Sequence, residues 1–356
     1  MQRTDLQGVL GFCRAGFEAE LAAELTEYGA QAGISGYARA ERGAGHALFL
    51  LTESDSPGLE RKHSAPPLIF SRQSLELMAE LTELDTRDRI SPILAGVANR
   101  AGRFGDLVVT HPDSDTGKPL SGLARALGNA LRPALVKAGI LSKTTDAARP
   151  TLHVVLLGGA HILLAQSPPS DTPSWPGGIP RLRLLREAPS RSALKLEEAI
   201  LVLLSARERD AWLKPGMRAA DLGAAPGGWS WVLARHHLRV TALDNGPLAE
   251  SAHATGLIEH VRADGFTWHP PRPLDWVVCD MVEQPRRVAE LMANWLVQGW
   301  SRRALFNLKL PMKKRWAETR LCLDLMTDRC GPQLRWRGRQ LYHDREEITL
   351  FADLGG

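Results

Sequence analysis

The stretch Asp221-Leu222-Gly223-Ala224-Ala225-Pro226-Gly227-Gly228-Trp229 constrains the fold of this chain more than any other. Just before it, Met217 to Leu222 reads as a short buried strand; just after it, Trp229 to Arg235 carries apolar residues at helical spacing. The loop therefore joins a strand to a helix N-terminus. Its glycines allow positive φ and close approach of backbone to a ligand, and Pro226 suits a position at or before a first helical turn. The dinucleotide fingerprint is excluded. Ala225 stands where that motif needs its second glycine, and Asp221 would repel a phosphate.

A ligand without phosphate fits such a loop better. S-adenosylmethionine (AdoMet), with a sulfonium, an amino-acid tail and an adenosine, is one. The candidate contacts are Asp221, Gly223, Ala225, Pro226, Gly227 and Gly228. An ordinary strand–glycine–helix turn, common in α/β proteins, stays open on the loop alone.

From Ser190 onward strands and helices alternate, which argues a parallel sheet with helices on both faces. Lys195 to Leu204 reads as a helix, with Ser190 or Ser192 as a possible cap. Strands follow at Arg239 to Leu243, ending at Asp244, and at Val261 to Ala263, ending at Asp264. Two more run from Asp275 to Cys279, ending at Asp280, and from Ala304 to Leu310, with Lys309 near the end. Helices are expected over Pro285 to Trp300 and Trp316 to Cys330, and a closing hairpin at Leu334 to Arg339 and Ile348 to Phe351. Open α/β sheets bind ligands beyond the carboxyl ends of their strands. Asp221, Asp244, Asp264, Asp280 and Lys309 all fall at such ends. Asp244 suits a ribose diol and Asp264 an exocyclic amine. Lys309 sits in a strongly apolar strand, where burial would lower its pKa; a lysine snorkelling from the sheet edge is the alternative.

The first half has a different grammar. Gly8 to Cys13, Phe17 to Tyr28, Gly33 to Tyr37 and His46 to Leu51 read as strand, helix, strand, strand, a small ferredoxin-like half. Loop signals fill Glu53 to Pro67, and a strand restarts at Leu68 to Arg72. Helices are expected over Leu84 to Arg100, where Pro92 puts the start in question, and over Leu120 to Ala138, where Pro133 could kink it. Asp106 to His111 reads as a strand, and Leu152 to Leu157 with His161 to Gln166 as a hairpin. Pro168, Pro169, Pro173, Pro176, Pro180 and Pro189 then mark a linker ending in the basic stretch Arg181 to Arg186. Those arginines are either a solvated surface or a phosphate-contacting strip. The net charge of +4 permits a polyanionic partner without demanding one. The 4 cysteines are scattered, which argues against a zinc site or a disulfide framework. No apolar run reaches membrane-span length and Met1 to Asp5 lacks a signal-peptide core, so a cytoplasmic protein with no membrane partner is expected.

The chain resembles the FtsJ-like ribose 2′-O-methyltransferases, and within them the branch that methylates a cytidine ribose of 23S rRNA. The resemblance rests on Ser190 to Glu198, the glycine loop, Cys279 to Glu283, Asn307 to Lys314 and Leu341 to Glu347, and more loosely on Leu68 to Gln73. It implies an α/β chain: a C-terminal Rossmann-like AdoMet-dependent methyltransferase domain behind an N-terminal α+β ferredoxin-like/THUMP region. The implied boundaries are 1–60 ferredoxin-like, 61–166 THUMP-like and RNA-binding, 167–189 linker and 190–356 methyltransferase. The family's Lys-Asp-Lys-Glu tetrad falls on Lys195, Asp280, Lys309 and Glu347, with Glu346 an adjacent rival for the last place. Cofactor positions fall on Ser192, the loop Ala225 to Gly228, Asp244, Asp264 and Asp280. The chain departs from the usual pattern at Ala225, where a cysteine is often seen. The implied substrate is cytidine 2498 of 23S rRNA, in the peptidyl-transferase region, as free RNA or in an early large-subunit assembly intermediate. No metal is required, and a monomer is expected.

Methyl transfer from a sulfonium to a ribose hydroxyl needs orientation and removal of one proton. Lys309 as general base has to be neutral when it acts. Lys195 and burial would lower its pKa while Asp280 and Glu347 would raise it, so the net sign stays open. Two other readings remain at this stage: an AdoMet enzyme for a small molecule, and a non-catalytic RNA-binding assembly factor. His236-His237 falls at an expected helix end, where imidazoles interact with terminal carbonyls.

Overall fold

The computed structural model describes residues 6–52, 68–98, 104–169 and 175–355. The chain divides into two compact units, Met1–Ile179 and Pro180–Gly356. The expected loop at Glu53 to Pro67 lies outside the described residues, as do the end of the expected helix at Arg100 and part of the linker.

The first unit is built on one seven-stranded sheet in the order β2-β3-β1-β4-β7-β6-β5. Its strands are β1 (Gly8–Phe12), β2 (Gly36–Ala40), β3 (His46–Leu51), β4 (Gln73–Leu81), β5 (Asp106–Thr110), β6 (Thr151–Leu156) and β7 (Ile162–Ser167). All pairings are antiparallel except β5 with β6. Helix α1 (Glu18–Ala32) buries Leu21 and Leu25 and stops where Gly33 takes φ 65°. That stop moves the following strand from the expected Gly33 start to Gly36. The expected strand at Leu68 to Arg72 is not one. The Glu24 carboxylate accepts the N–H groups of Ile69 at 2.5 Å and Phe70 at 2.9 Å, which takes these donors away from any ladder. The strand begins instead at Gln73, and β4 pairs with both β1 and β7, so the early and late strands share one sheet. Helix α2 (Ile90–Ala98) has Pro92 in its first turn, where the missing N–H costs no bond. Helix α3 (Ser121–Lys137) runs through Pro133 and buries Leu127, Leu131 and Leu135.

The second unit holds a sheet in the order β10-β9-β8-β11-β12-β14-β13. The strands are β8 (Arg218–Leu222), β9 (Arg239–Leu243), β10 (Ile258–Val261), β11 (Leu274–Cys279), β12 (Ser301–Lys309), β13 (Arg335–Arg339) and β14 (Glu347–Asp353). Strands β10, β9, β8, β11 and β12 are parallel; β14 and β13 add antiparallel. The order reverses between β8 and β11, the kind of switch point that opens a crevice beyond the strand ends. Helices α4 (Ala193–Leu203), α5 (Ala206–Trp212), α6 (Gly228–Arg235), α7 (Glu250–His253), α8 (Pro285–Val297) and α9 (Arg315–Cys330) complete the unit. Leu196, Trp229, Trp276 and Phe351 form part of one buried cluster between helices and sheet.

Three expectations change here. Ser192 has helical φ/ψ and no side-chain cap bond; its hydroxyl meets that of Ser190 at 2.6 Å instead, so neither serine caps α4. Helix α5 was not expected, although Ser205 and Glu208 form a reciprocal capping box at its start. Strand β10 ends at Val261, so Asp264 stands on the turn beyond it and not at a strand end. Among the described residues no helix is long and apolar enough to cross a membrane.

Candidate active site

The loop after β8 turns through Gly223 at φ 76° and Gly227 at φ 104°. A Cβ on Gly223 would stand 2.3 Å from Cγ of Met281, so the chain can pass there only as glycine. A Cβ on Gly228 would stand 2.4 Å from Oγ of Ser192, so this glycine lets α6 begin against the Ser190–Ser192 segment. The Trp229 indole N–H donates to the Ser192 carbonyl at 3.1 Å.

Beyond the strand ends lies a cavity of about 410 Å³, walled in part by Gly223, Ala225, Asp244, Asp264, Asp280 and Val282. That volume is in the range of small-molecule sites. Asp244 is held by backbone: its Oδ2 accepts the Ala225 N–H at 3.0 Å and its Oδ1 the Gly246 N–H at 2.7 Å. Asp264 Oδ1 accepts the Phe266 N–H at 2.9 Å. Pro226, Gly227, Gly228 and Ser192 shape the loop and its contact with α6 and are not among the cavity walls. Asp221 is not a wall either. It is 1% exposed, accepts the Ser230 hydroxyl at 2.6 Å, and burial pushes its carboxyl up to about 7. Its observed bond ties β8 to α6.

The four residues of the expected tetrad meet. Lys195 comes from α4, Asp280 follows β11, Lys309 ends β12 and Glu347 begins β14, and β12 and β14 pair with Lys309 opposite Glu347. Lys195 Nζ lies 2.5 Å from Glu347 Oε1 and 3.3 Å from Asp280 Oδ2. Lys309 Nζ bonds both Asp280 Oδ1 and Glu347 Oε2. The result is a closed square of alternating charge, with side chains between 6% and 21% exposed. Burial pulls the Lys309 pKa down, but the two carboxylates outweigh it and hold the ammonium above the usual lysine range. That answers the sign the sequence left open. Glu346, the rival, faces away and pairs with Arg315 at 2.6 Å.

Sequence reasoning missed a second set behind the square. Asn307 is fully buried two residues before Lys309, on the same face of β12. Its Nδ2 donates to Asp280 Oδ1 at 2.9 Å. Thr349, opposite Asn307 in the sheet register, donates its hydroxyl to Asn307 Oδ1 at 2.7 Å and stands 3.0 Å from Asp344 Oδ2. A hydroxyl has one proton and cannot donate to both. Burial, and then the charge of Glu347, push the Asp344 carboxyl up to about 8, so at neutral pH it is the acid that donates to Thr349. One turn beyond Lys195, Glu198 accepts the N–H groups of Tyr342 at 2.7 Å and His343 at 3.0 Å, which fixes the run leading into Glu347. The available signal was polar residues in otherwise apolar strands.

His236 follows the end of α6, where burial lowers its pKa. No group of three or more His, Cys, Asp or Glu among the described residues could hold a metal ion.

Three family models match the chain: the RlmM ferredoxin-like domain over residues 6–75, the ribosomal RNA large subunit methyltransferase M N-terminal region over 88–168, and the FtsJ-like methyltransferase over 188–311. Ribosomal RNA large subunit methyltransferase M of Xanthomonas campestris pv. campestris (strain B100) is 60% identical over 350 residues, spanning 98% of this chain and 100% of that protein. The protein of the same name from Stenotrophomonas maltophilia (strain K279a) is 60% identical over 347 residues, 97% of this chain and 96% of its own. Among solved structures, a possible methylase from Clostridium difficile 630 is similar at a TM-score of 0.39 and 13% identity, covering 98% of each chain.

Proposed function

The chain belongs to the ribosomal RNA large subunit methyltransferase M family, and from that premise we propose that it methylates the ribose 2′-oxygen of a cytidine in 23S rRNA, by resemblance cytidine 2498, using AdoMet and with Lys309 as general base. One observation carries the reading. Asp280 is at once a wall of the cavity and a partner of both lysines, so a donor site and a proton acceptor share one residue. The cavity walls fit AdoMet: carboxylates at Asp244 and Asp264 disfavour a phosphate and suit hydroxyls and an amine, and Gly223 keeps side chains away. Bound there, AdoMet supplies a methyl group already activated on a cationic sulfur.

This chain's own residues then orient and deprotonate. Lys309 rests as an ammonium. A cation held near Asp280 opposes the two carboxylates and lowers the proton affinity of Lys309. Neutral Lys309 accepts the hydroxyl proton, and Asp280 and Glu347 stabilise the ammonium that re-forms. Lys195, bonded to the same two acids, prevents either from collapsing onto Lys309 alone.

The region 61–166, THUMP-like by resemblance, and the exposed arginines of 181–186 supply RNA affinity in this reading. The substrate is 23S rRNA, free or in an early assembly intermediate, and the protein works as a cytoplasmic monomer. The deciding measurement is a mass-spectrometric map of ribose methylation in strains with and without the gene. Lys309→Ala should keep AdoMet affinity within a few-fold and lose about 10²- to 10⁴-fold in turnover. Near-normal turnover in that variant would remove Lys309 from the chemistry.

A further inference from the structure

The loop that follows Lys309 has features the tetrad does not explain. Pro311, Met312, Lys313 and Lys314 are all exposed, and Met312 is 75% exposed. Soluble proteins tolerate single exposed apolar side chains, but this one has a counterpart. Val282, two residues past Asp280, is 93% exposed. Strands β11 and β12 are parallel neighbours, so both residues leave the same edge of the sheet, Val282 just past Asp280 and Met312 just past Lys309, the two bonded to each other.

The Met312 loop is also held in shape. At one foot the Leu310 N–H donates to the Glu346 carbonyl at 2.7 Å. At the other, Arg315 Nη2 reaches the Glu346 carboxylate at 2.6 Å. Glu346 therefore pins both feet while its neighbour Glu347 serves the square. Lys314 has φ 58° and ψ 36°, a left-handed conformation that costs a side-chain-bearing residue energy. Both lysines precede the N-terminus of α9, where the helix dipole disfavours cations. Neither the strain nor the charge placement serves stability, and both present cations around an exposed apolar tip.

We propose that the Pro311–Lys314 loop, with Val282, is an RNA-holding rim: Met312 and Val282 pack against unstacked bases beside the target nucleotide, and Lys313 and Lys314 take the flanking phosphates. The inference rests on the rRNA reading above and names which residues hold the strand at the reacting ribose. Sequence-selective proteins seize RNA where bases are splayed from the stack. Methionine is among the apolar wedges that proteins insert at unstacked steps, and its flexible thioether adapts to any base face.

The test uses the full-length protein and a 23S rRNA fragment carrying the target cytidine, with 2-aminopurine at the adjacent nucleotide. Wild type should raise the fluorescence on binding as that base unstacks. Met312→Ala should lose most of the rise and about tenfold in single-turnover rate, and Met312→Leu should restore both. Lys313→Ala and Lys314→Gly should each make the slope of log affinity against log salt shallower by about 0.7. Glycine relieves the left-handed strain at position 314, so an unchanged slope there would mean that the lysine's role is not electrostatic. AdoMet affinity unchanged in Met312→Ala and the lysine variants shows that they fold. Wild-type fluorescence and rate in Met312→Ala, or an unchanged salt slope in both Lys313→Ala and Lys314→Gly, overturns the rim. A wild type that binds AdoMet and leaves the fragment unmethylated sinks the parent reading instead. The fluorescence and salt measurements need only binding and still decide the rim.

Discussion

Asn307 Nδ2 donates to Asp280 Oδ1 at 2.9 Å, and Lys309 bonds that same oxygen. The amide cannot flip without loss, because Thr349 donates to its carbonyl at 2.7 Å. One lone pair of Asp280 is thereby committed, and the carboxylate plane is set before any substrate arrives. Asn307→Asp removes the donor and adds a negative charge. Partners of this kind are worth about 10- to 100-fold in metal sites, and we expect a loss of that size in single-turnover rate. A third carboxylate near Lys309 also raises its pKa, so the pH at which the rate levels off should move up. Single-turnover rates across a pH series test both, and an unchanged rate with an unchanged profile would dismiss Asn307 as a positioning residue.

The Lys309 pKa gives a pH dependence with a definite sign. Its ammonium is held above the usual range by Asp280 and Glu347 against the effect of burial. Only the neutral form accepts a proton, so at saturating AdoMet the rate should climb about tenfold per pH unit below the Lys309 pKa of the complex, which the bound cation sets lower than that of the free protein. Glu347→Gln removes one of the two negative charges, and the climbing limb should shift toward lower pH. A rate flat from pH 6 to 10 in the wild type would mean that proton removal is not coupled to the slow step.

Asp280 and Lys309 were readable as charges at the ends of apolar strands, while Lys195 and Glu347 were placed by the family resemblance, Glu347 over Glu346 because it opens a β-branched run. What was hidden lies across the chain. Asn307 and Thr349 meet only through the β12–β14 register, and Asp344 joins them from the turn before β14. No spacing in the sequence specifies that pairing. The first half was less legible for a similar reason. Leu68 to Arg72 has strand-like composition, but Glu24, far back in α1, takes the N–H groups of Ile69 and Phe70. Strand β4 mixes Glu76 and Glu80 with leucines; Glu76 finds Gln166 on the neighbouring β7, and Glu80 finds Arg39 on β2, which is three strands away in the sheet order. The missed helix α5 was written in Ser205 and Glu208, a capping signature overlooked because the helix spans only 7 residues.

Gly223 should tolerate no side chain. At φ 76°, with a Cβ 2.3 Å from Met281 Cγ, alanine would be strained by its backbone and would push Met281, whose neighbour is Asp280. Gly223→Ala should lower stability by about 1–3 kcal/mol and weaken AdoMet binding more than tenfold, since both residues wall the cavity. Calorimetric titration separates the effects at a temperature where the variant is folded. AdoMet affinity equal to wild type would place the methyl donor elsewhere.

Asp344 predicts how stability changes with pH. Burial and Glu347 hold its carboxyl at about 8 in the folded protein, against about 3.9 in an unfolded chain. The folded state therefore binds this proton more tightly. The resulting stabilisation is complete below about pH 4 and is lost as pH rises toward the folded value. Asp221, pushed by burial to about 7, acts in the same direction. Asp344→Asn stays neutral at every pH and keeps a donor for Thr349, while losing the Leu341 N–H bond that Asp344 Oδ2 accepts at 3.0 Å, a loss that does not depend on pH. Its melting temperature should fall less than that of wild type between pH 5 and 9, with a gain on the order of a few kcal/mol at the alkaline end. Part of the slope should remain, and Asp221→Asn in the same background should remove it. Thermal melts at constant ionic strength measure this. Parallel curves for wild type and Asp344→Asn would mean that the carboxyl is ionised in the folded protein, and Thr349 would then have to choose between Asn307 and Asp344.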